Sequence, residues 1–162
     1  MKAWLLALAC AASTALAQVE LPSAEPLFAA TLSDLDDKPV ALSAYKGRPL
    51  VVNFWARWCG PCREEIPELI KARARRKGVE VLGLGLEDKG DAVREFAKAY
   101  EITYPLLLAK DKGIELMRAL GNDRAGLPFT LALDGHGRVV YQKLGGMKPA
   151  DVEAAFAAAL KR

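Results

Sequence analysis

Pro49-Leu50-Val51-Val52-Asn53-Phe54-Trp55 is a nearly continuous run of apolar, β-forming residues. A strand without polar alternation is covered on both faces, so this run predicts the centre of a sheet with helices above and below it. Residues 61–77 supply the first such helix, with Ile66, Leu69, Ile70 and Ala74 spaced for one buried face. Pro67 lies inside that helix, where it removes one backbone hydrogen bond and kinks the axis. Between strand and helix stands Cys59-Gly60-Pro61-Cys62.

The remaining pattern continues the same alternation. Residues 28–32 and 40–42 read as short strands around a polar turn at 33–39, and residues 43–46 as one helical turn. After Gly78 come a buried strand over 79–86, a helix over 91–100, a strand over 104–109 and a helix over 113–120. Two further strands, 129–133 and 138–144, flank the turn Asp134-Gly135-His136-Gly137, whose glycines suit the positive φ angles of tight turns. Residues 149–160 close the chain as an amphipathic helix. The expected fold class is α/β, a central mixed sheet flanked by helices, with no internal repeat and no second domain.

The N-terminus carries a different signal. Lys2 is the only charge in the first 17 residues, residues 4–12 are almost wholly apolar, and Ala15-Leu16-Ala17 offers small residues at −3 and −1. That is the pattern of a secretory signal peptide at 1–17 with Gln18 as the mature start. The apolar stretch is shorter than the roughly 20 residues a membrane-crossing helix needs. Lipid attachment at Cys10 is the lesser alternative. Residues 18–27, with two prolines and little periodicity, read as a leader or arm ahead of a domain at 28–162. The formal charge of +3, one less without Lys2, does not indicate nucleic acid.

Of three cysteines, only Cys59 and Cys62 lie beyond the leader. A disulfide between them closes a tiny loop and stabilises weakly, so exchange chemistry explains the pair better than stapling. Thiol exchange needs a thiolate. The start of a helix presents free N–H groups and partial positive charge to one, and Pro61 is tolerated in a first turn. Cys59 is then the exposed nucleophile and Cys62, one turn on, the more buried resolving thiol. A bare CxxC equally suits zinc.

The longer string Phe54-Trp55-Ala56-Arg57-Trp58-Cys59-Gly60-Pro61-Cys62, with Pro67 beyond it, resembles the active-site strand and helix of the thioredoxin superfamily. Gly126-Leu127-Pro128-Phe129-Thr130 looks like that superfamily's cis-proline loop. The resemblance implies that Leu127 pairs through its backbone with an extended substrate, that Pro128 keeps the site open, and that Trp58 covers the disulfide and helps form the docking surface. Two departures narrow the family. The long separation of Cys62 from Pro128 leaves room for an inserted strand and helix around 101–120. Asn53 stands where thioredoxin has a buried aspartate, and Glu87 is expected to supply the missing acid. With the early hairpin, these features resemble the TlpA/ResA group of bacterial extracytoplasmic reductases.

The resemblance implies a thiol–disulfide oxidoreductase without cofactor or bound metal. Its partners would be disulfide-bearing exported clients, in cytochrome c or copper-site maturation, and an upstream membrane electron donor. An oxidase or isomerase and a copper metallochaperone are the rival readings. Glu87, followed by Asp88, Lys89 and Gly90, also fits a solvated loop acid, and the cations at 71–77 fit a helix C-terminus. His136, the one histidine, sits in a turn and is a poor catalytic candidate.

Overall fold

The computed structural model describes residues 21–161 other than 88. The proposed signal peptide, its cleavage point and Cys10 lie outside the described residues. A seven-stranded sheet forms the centre, in the order β2-β1-β5-β4-β3-β6-β7. Its strands are β1 (Thr31–Ser33), β2 (Pro39–Ala41), β3 (Leu50–Trp55), β4 (Glu80–Gly85), β5 (Leu106–Leu108), β6 (Phe129–Leu133) and β7 (Val139–Leu144). β3, β4 and β5 run parallel, whereas β6, β7 and the β1–β2 hairpin join them in antiparallel pairs.

Alternation along the strands divides the core between two faces. Leu50, Val52 and Phe54 of β3 join Leu82, Leu84, Phe129, Leu131 and Leu133 on one face. Helices α1 (Glu25–Ala29) and α4 (Lys112–Ala119) cover it with Leu27, Phe28, Leu116 and Met117. Val51 and Trp55 point to the other face, beneath α2 (Gly60–Arg75), α3 (Gly90–Ala99) and α5 (Pro149–Ala159). Trp55 stacks on Phe96 of α3 with ring centroids 5.0 Å apart. Full burial of each such side chain contributes about 1.5–3 kcal/mol, which is why the run at 49–55 can only be central.

Several boundaries differ from the sequence expectation. Phe28 belongs to a short helix rather than a strand, because Pro26 opens a turn that drops Leu27 and Phe28 onto the sheet. The expected arm at 18–27 is thus partly structured from Glu25 onward. On α2 the buried residues are Cys62, Glu65, Ile66, Leu69 and Ala72; Ala74 faces solvent and Ile70 is only half-buried. The helix continues through Pro67. The expected insertion is present as β5 and α4, with β5 paired to both β4 and β1.

Candidate functional site

β3 ends at Trp55, and the chain turns through Ala56–Arg57–Trp58 into α2. Cys59 caps that helix in an extended conformation, and its Sγ accepts the Cys62 N–H at 3.3 Å. The two sulfurs form a disulfide, with Cα atoms 5.3 Å apart. Sulfur is therefore bonded where the free N–H groups of a helix start converge, the environment that stabilises a thiolate after reduction. Both cysteines are buried in this disulfide form, Cys59 5% exposed and Cys62 fully buried, so the contrast between them is smaller than foreseen. Gly60 has open space where a side chain would project, and Pro61 is exposed in the first turn.

Register brings the second loop to the same end of the sheet. Phe54 of β3 pairs with Phe129 of β6, and Phe129 with Leu144 of β7. Pro128 immediately precedes Phe129, and the Leu127–Pro128 peptide is cis. Leu127 packs against the core cluster that contains both cysteines, and among the described residues its N–H has no backbone partner. The Pro128 carbonyl accepts the Gly145 N–H at 2.8 Å, fastening the loop to the end of β7. Trp58, 71% exposed, and Leu144 provide large apolar surface at this end.

The buried acid of the site is Glu65, which sequence reasoning missed. It follows Cys62 by three residues, hence on the same helix face, and is 1% exposed. Its Oε1 accepts from Asn53 Nδ2 at 2.7 Å and its Oε2 from the Met147 N–H at 2.8 Å. Burial pushes its pKa up to about 7, against the opposing pull of these two donors. Asn53 Nδ2 also donates to Thr130 Oγ1 at 2.9 Å, and Thr130 is the residue opposite Asn53 in the β3–β6 ladder. The sequence signal was faint: position 65 lies on the helix stripe shared by Cys62, Ile66 and Leu69.

Glu87 is buried, but in a different arrangement from the one expected. Its Oε1 accepts the Arg57 N–H at 2.8 Å and its Oε2 the Arg57 guanidinium at 3.1 Å. It braces the loop ahead of Cys59 with its charge matched by a cation. The buried acid in contact with Asn53 is Glu65, on the cysteine helix itself. His136 is exposed in the β6–β7 turn, at the opposite end of the sheet from Cys59. Among the described residues no three His, Cys, Asp or Glu side chains gather as a metal site.

Comparison with known proteins accords with this geometry. The Redoxin family model matches residues 18–159. The thiol-disulfide oxidoreductase ResA of Bacillus thuringiensis subsp. konkukian is 32% identical over 130 residues, covering 79% of this chain and 72% of that protein. A thiol:disulfide interchange protein of the thioredoxin family from Chlorobium tepidum superposes with TM-score 0.71 at 25% identity, over 88% of this chain and 99% of that one. A putative thiol:disulfide interchange protein DsbE, also from Chlorobium tepidum, gives TM-score 0.69 at 28% identity over the same shares. A family match over most of its length and a ResA relative with the same reaction in its name make this chain a member of the Redoxin family and a thiol–disulfide oxidoreductase.

Proposed function

We propose that the protein reduces disulfides of exported client proteins, with Cys59 as nucleophile, Cys62 as resolving thiol and Glu65 as the group that takes the Cys62 proton. The observation that carries this reading is the buried Glu65 carboxylate on the Cys62 face of α2, whose burial raises its pKa. In the dithiol form the Cys59 thiolate attacks one sulfur of a client disulfide and the other leaves as a thiolate. Cys62 then gives its proton to Glu65 and attacks Cys59. The client's second sulfur departs, and the Cys59–Cys62 disulfide closes. The client gains the two electrons that the cysteine pair loses. A proton acceptor titrating near the working pH suits both halves of such a cycle.

Leu127 would pair through its free backbone N–H with an extended client segment, Pro128 would keep that loop open, and Trp58 would lie against the client. Glu87 would act on the reaction only by fixing the Arg57 loop. Gly60 and Pro61 would keep the turn between the sulfurs unobstructed. Export through residues 1–17 is supported by their sequence pattern. In an oxidising compartment, return to the dithiol requires electrons from outside, which an upstream membrane donor would supply. Apocytochrome c, whose haem-attachment cysteines must be reduced, is the client class we favour.

The Cys62→Ser variant tests the reading, since it should hold clients as mixed disulfides on Cys59. Capture of exported thiol proteins in the native compartment is expected; no mixed disulfide there would overturn it. Equilibration of the wild-type pair with glutathione tests direction, and a potential as oxidising as that of DsbA, about −120 mV, would favour an oxidase instead.

A further inference from the structure

Asn53 Oδ1 is buried and has no hydrogen-bond partner among the described residues, whereas the same amide's Nδ2 donates twice, to Glu65 Oε1 and to Thr130 Oγ1. The side-chain amide has a second orientation, turned by a half-rotation about its terminal torsion, in which Oδ1 faces Glu65 and Thr130 and Nδ2 takes the unpartnered position. One end of the amide is unpaired either way, so the choice between the two is made at Glu65. With an ionised carboxylate that orientation sets oxygen against oxygen. With a protonated carboxyl it lets Glu65 donate to Oδ1. Thr130 serves either orientation, because its hydroxyl both accepts and donates.

We propose that the Asn53 amide is a proton-dependent positioning switch, presenting Nδ2 to the ionised Glu65 carboxylate and Oδ1 to the protonated carboxyl, with the Thr130 hydroxyl turning in step. This rests on the reading of Glu65 as the acceptor of the Cys62 proton. An aspartate at position 53 lacks the donor half of the device. It would also put two carboxylates in one buried site, where they titrate as a coupled pair. The switch passes the protonation state of the cysteine helix into β6, two residues after Pro128.

The surroundings isolate the device. The cysteine pair shares the Glu65 helix. Tyr104, ahead of β5, and Tyr141, on β7, face the carboxylate, and its negative charge raises both phenols beyond what burial does. Both phenols therefore stay neutral through the range in which Glu65 titrates. Asp151, the other acid near Tyr141, is ion-paired to Lys143 at 3.2 Å. From the loop before α5 the carboxylate meets, among the described residues, the Met147 N–H, which does not titrate.

The test is nuclear magnetic resonance of the full-length mature protein between pH 5 and 9, following the Asn53 side-chain amide and the Glu65 carboxyl carbon together. Both signals should move with one midpoint near 7, and the Asn53 movement should vanish in Glu65→Gln. In Thr130→Val the Glu65 midpoint should shift while Thr130→Ser restores it, which a purely structural threonine would not do. A titrating Glu65 beside a pH-invariant Asn53 amide overturns the switch and leaves the proton-acceptor reading intact. A Glu65 carboxyl that does not titrate in this range overturns that reading, and the switch with it.

Discussion

Glu65 accepts the backbone N–H of Met147 at 2.8 Å across 82 residues of chain, so a carboxylate joins the cysteine helix to the loop entering α5. Gly146 in that loop lies against Pro61, closely enough that a Cβ there would meet the Pro61 Cβ at 3.3 Å. The site is thus roofed by a segment whose attachment includes an ionisable group.

Stability should depend on pH through that group. The folded pKa of about 7 lies above the ordinary 4.5, so between these values the native state binds the proton that the unfolded chain has lost. The Glu65 contribution is therefore most favourable below pH 4.5 and declines as pH rises through about 7, by about 3 kcal/mol in all. Glu65→Gln should remove the dependence, leaving the variant more stable relative to wild type at pH 8 than at pH 5. Urea unfolding at the two pH values checks this; an unchanged difference would refute it.

Glu87→Ala should cost about 1–3 kcal/mol, mainly through the lost acceptor for the Arg57 N–H. The Arg57 guanidinium is 40% exposed, so its ion pair is screened and contributes less. Glu87→Gln keeps a carbonyl acceptor and should cost under about 1 kcal/mol. Equal losses in the two variants, read by denaturant midpoint, would assign the effect to charge instead.

Asp134→Ala should destabilise the β6–β7 turn by about 1–3 kcal/mol. The carboxylate accepts the His136 and Arg138 N–H groups and the Arg138 guanidinium. Burial pushes its pKa up, but these donors and the Arg138 charge outweigh it, holding the group below 3.8. That contribution is present above pH 3.8 and is lost as pH falls through the depressed value. The gap between wild type and variant should accordingly close in acid, as thermal melts at pH 3 and pH 6 would record.

Gly90→Ala should be among the most damaging single-methyl additions. A Cβ there would sit 1.9 Å from the Leu35 carbonyl oxygen, a backbone atom that no rotamer change can move. Overpacking of this kind costs about 3 kcal/mol, equivalent to a fall of roughly 6–12 °C in Tm for a domain of this size. A melt within 2 °C of wild type would mean that α3 shifts to accommodate the methyl.

The sequence made some of this legible and hid the rest for identifiable reasons. The strand at 50–55, the helix behind Cys59 and the turn at 134–137 depend on neighbours in the chain, and all were readable. Phe28 reads as strand in the sequence because its helix is held by tertiary burial of Leu27 and Phe28, not by local periodicity. Glu65 was hidden because a glutamate on an amphipathic helix ordinarily marks the solvent face. Its burial is made tolerable by Asn53 and Met147, 12 and 82 residues away, which no local window contains. Asn53 stands out as a polar residue in an apolar strand, yet its partnership with Thr130 follows from the β3–β6 register, which no local window contains.

The β1–β2 hairpin and the segment carrying α3 and β5 are fastened to each other as well as to the sheet. Ser33 pairs with Leu108, Arg94 bonds Asp36, Lys110 bonds Asp37, and Lys112 reaches the Thr31 carbonyl. Removing the hairpin would strip β5 of its outer neighbour and leave Leu106, Leu107 and Leu108 as an uncovered sheet margin. Such a margin is a template on which another molecule can add its own strand. The hairpin therefore does for β5 what a partner strand would otherwise do, closing an edge that its loss would open to strand addition.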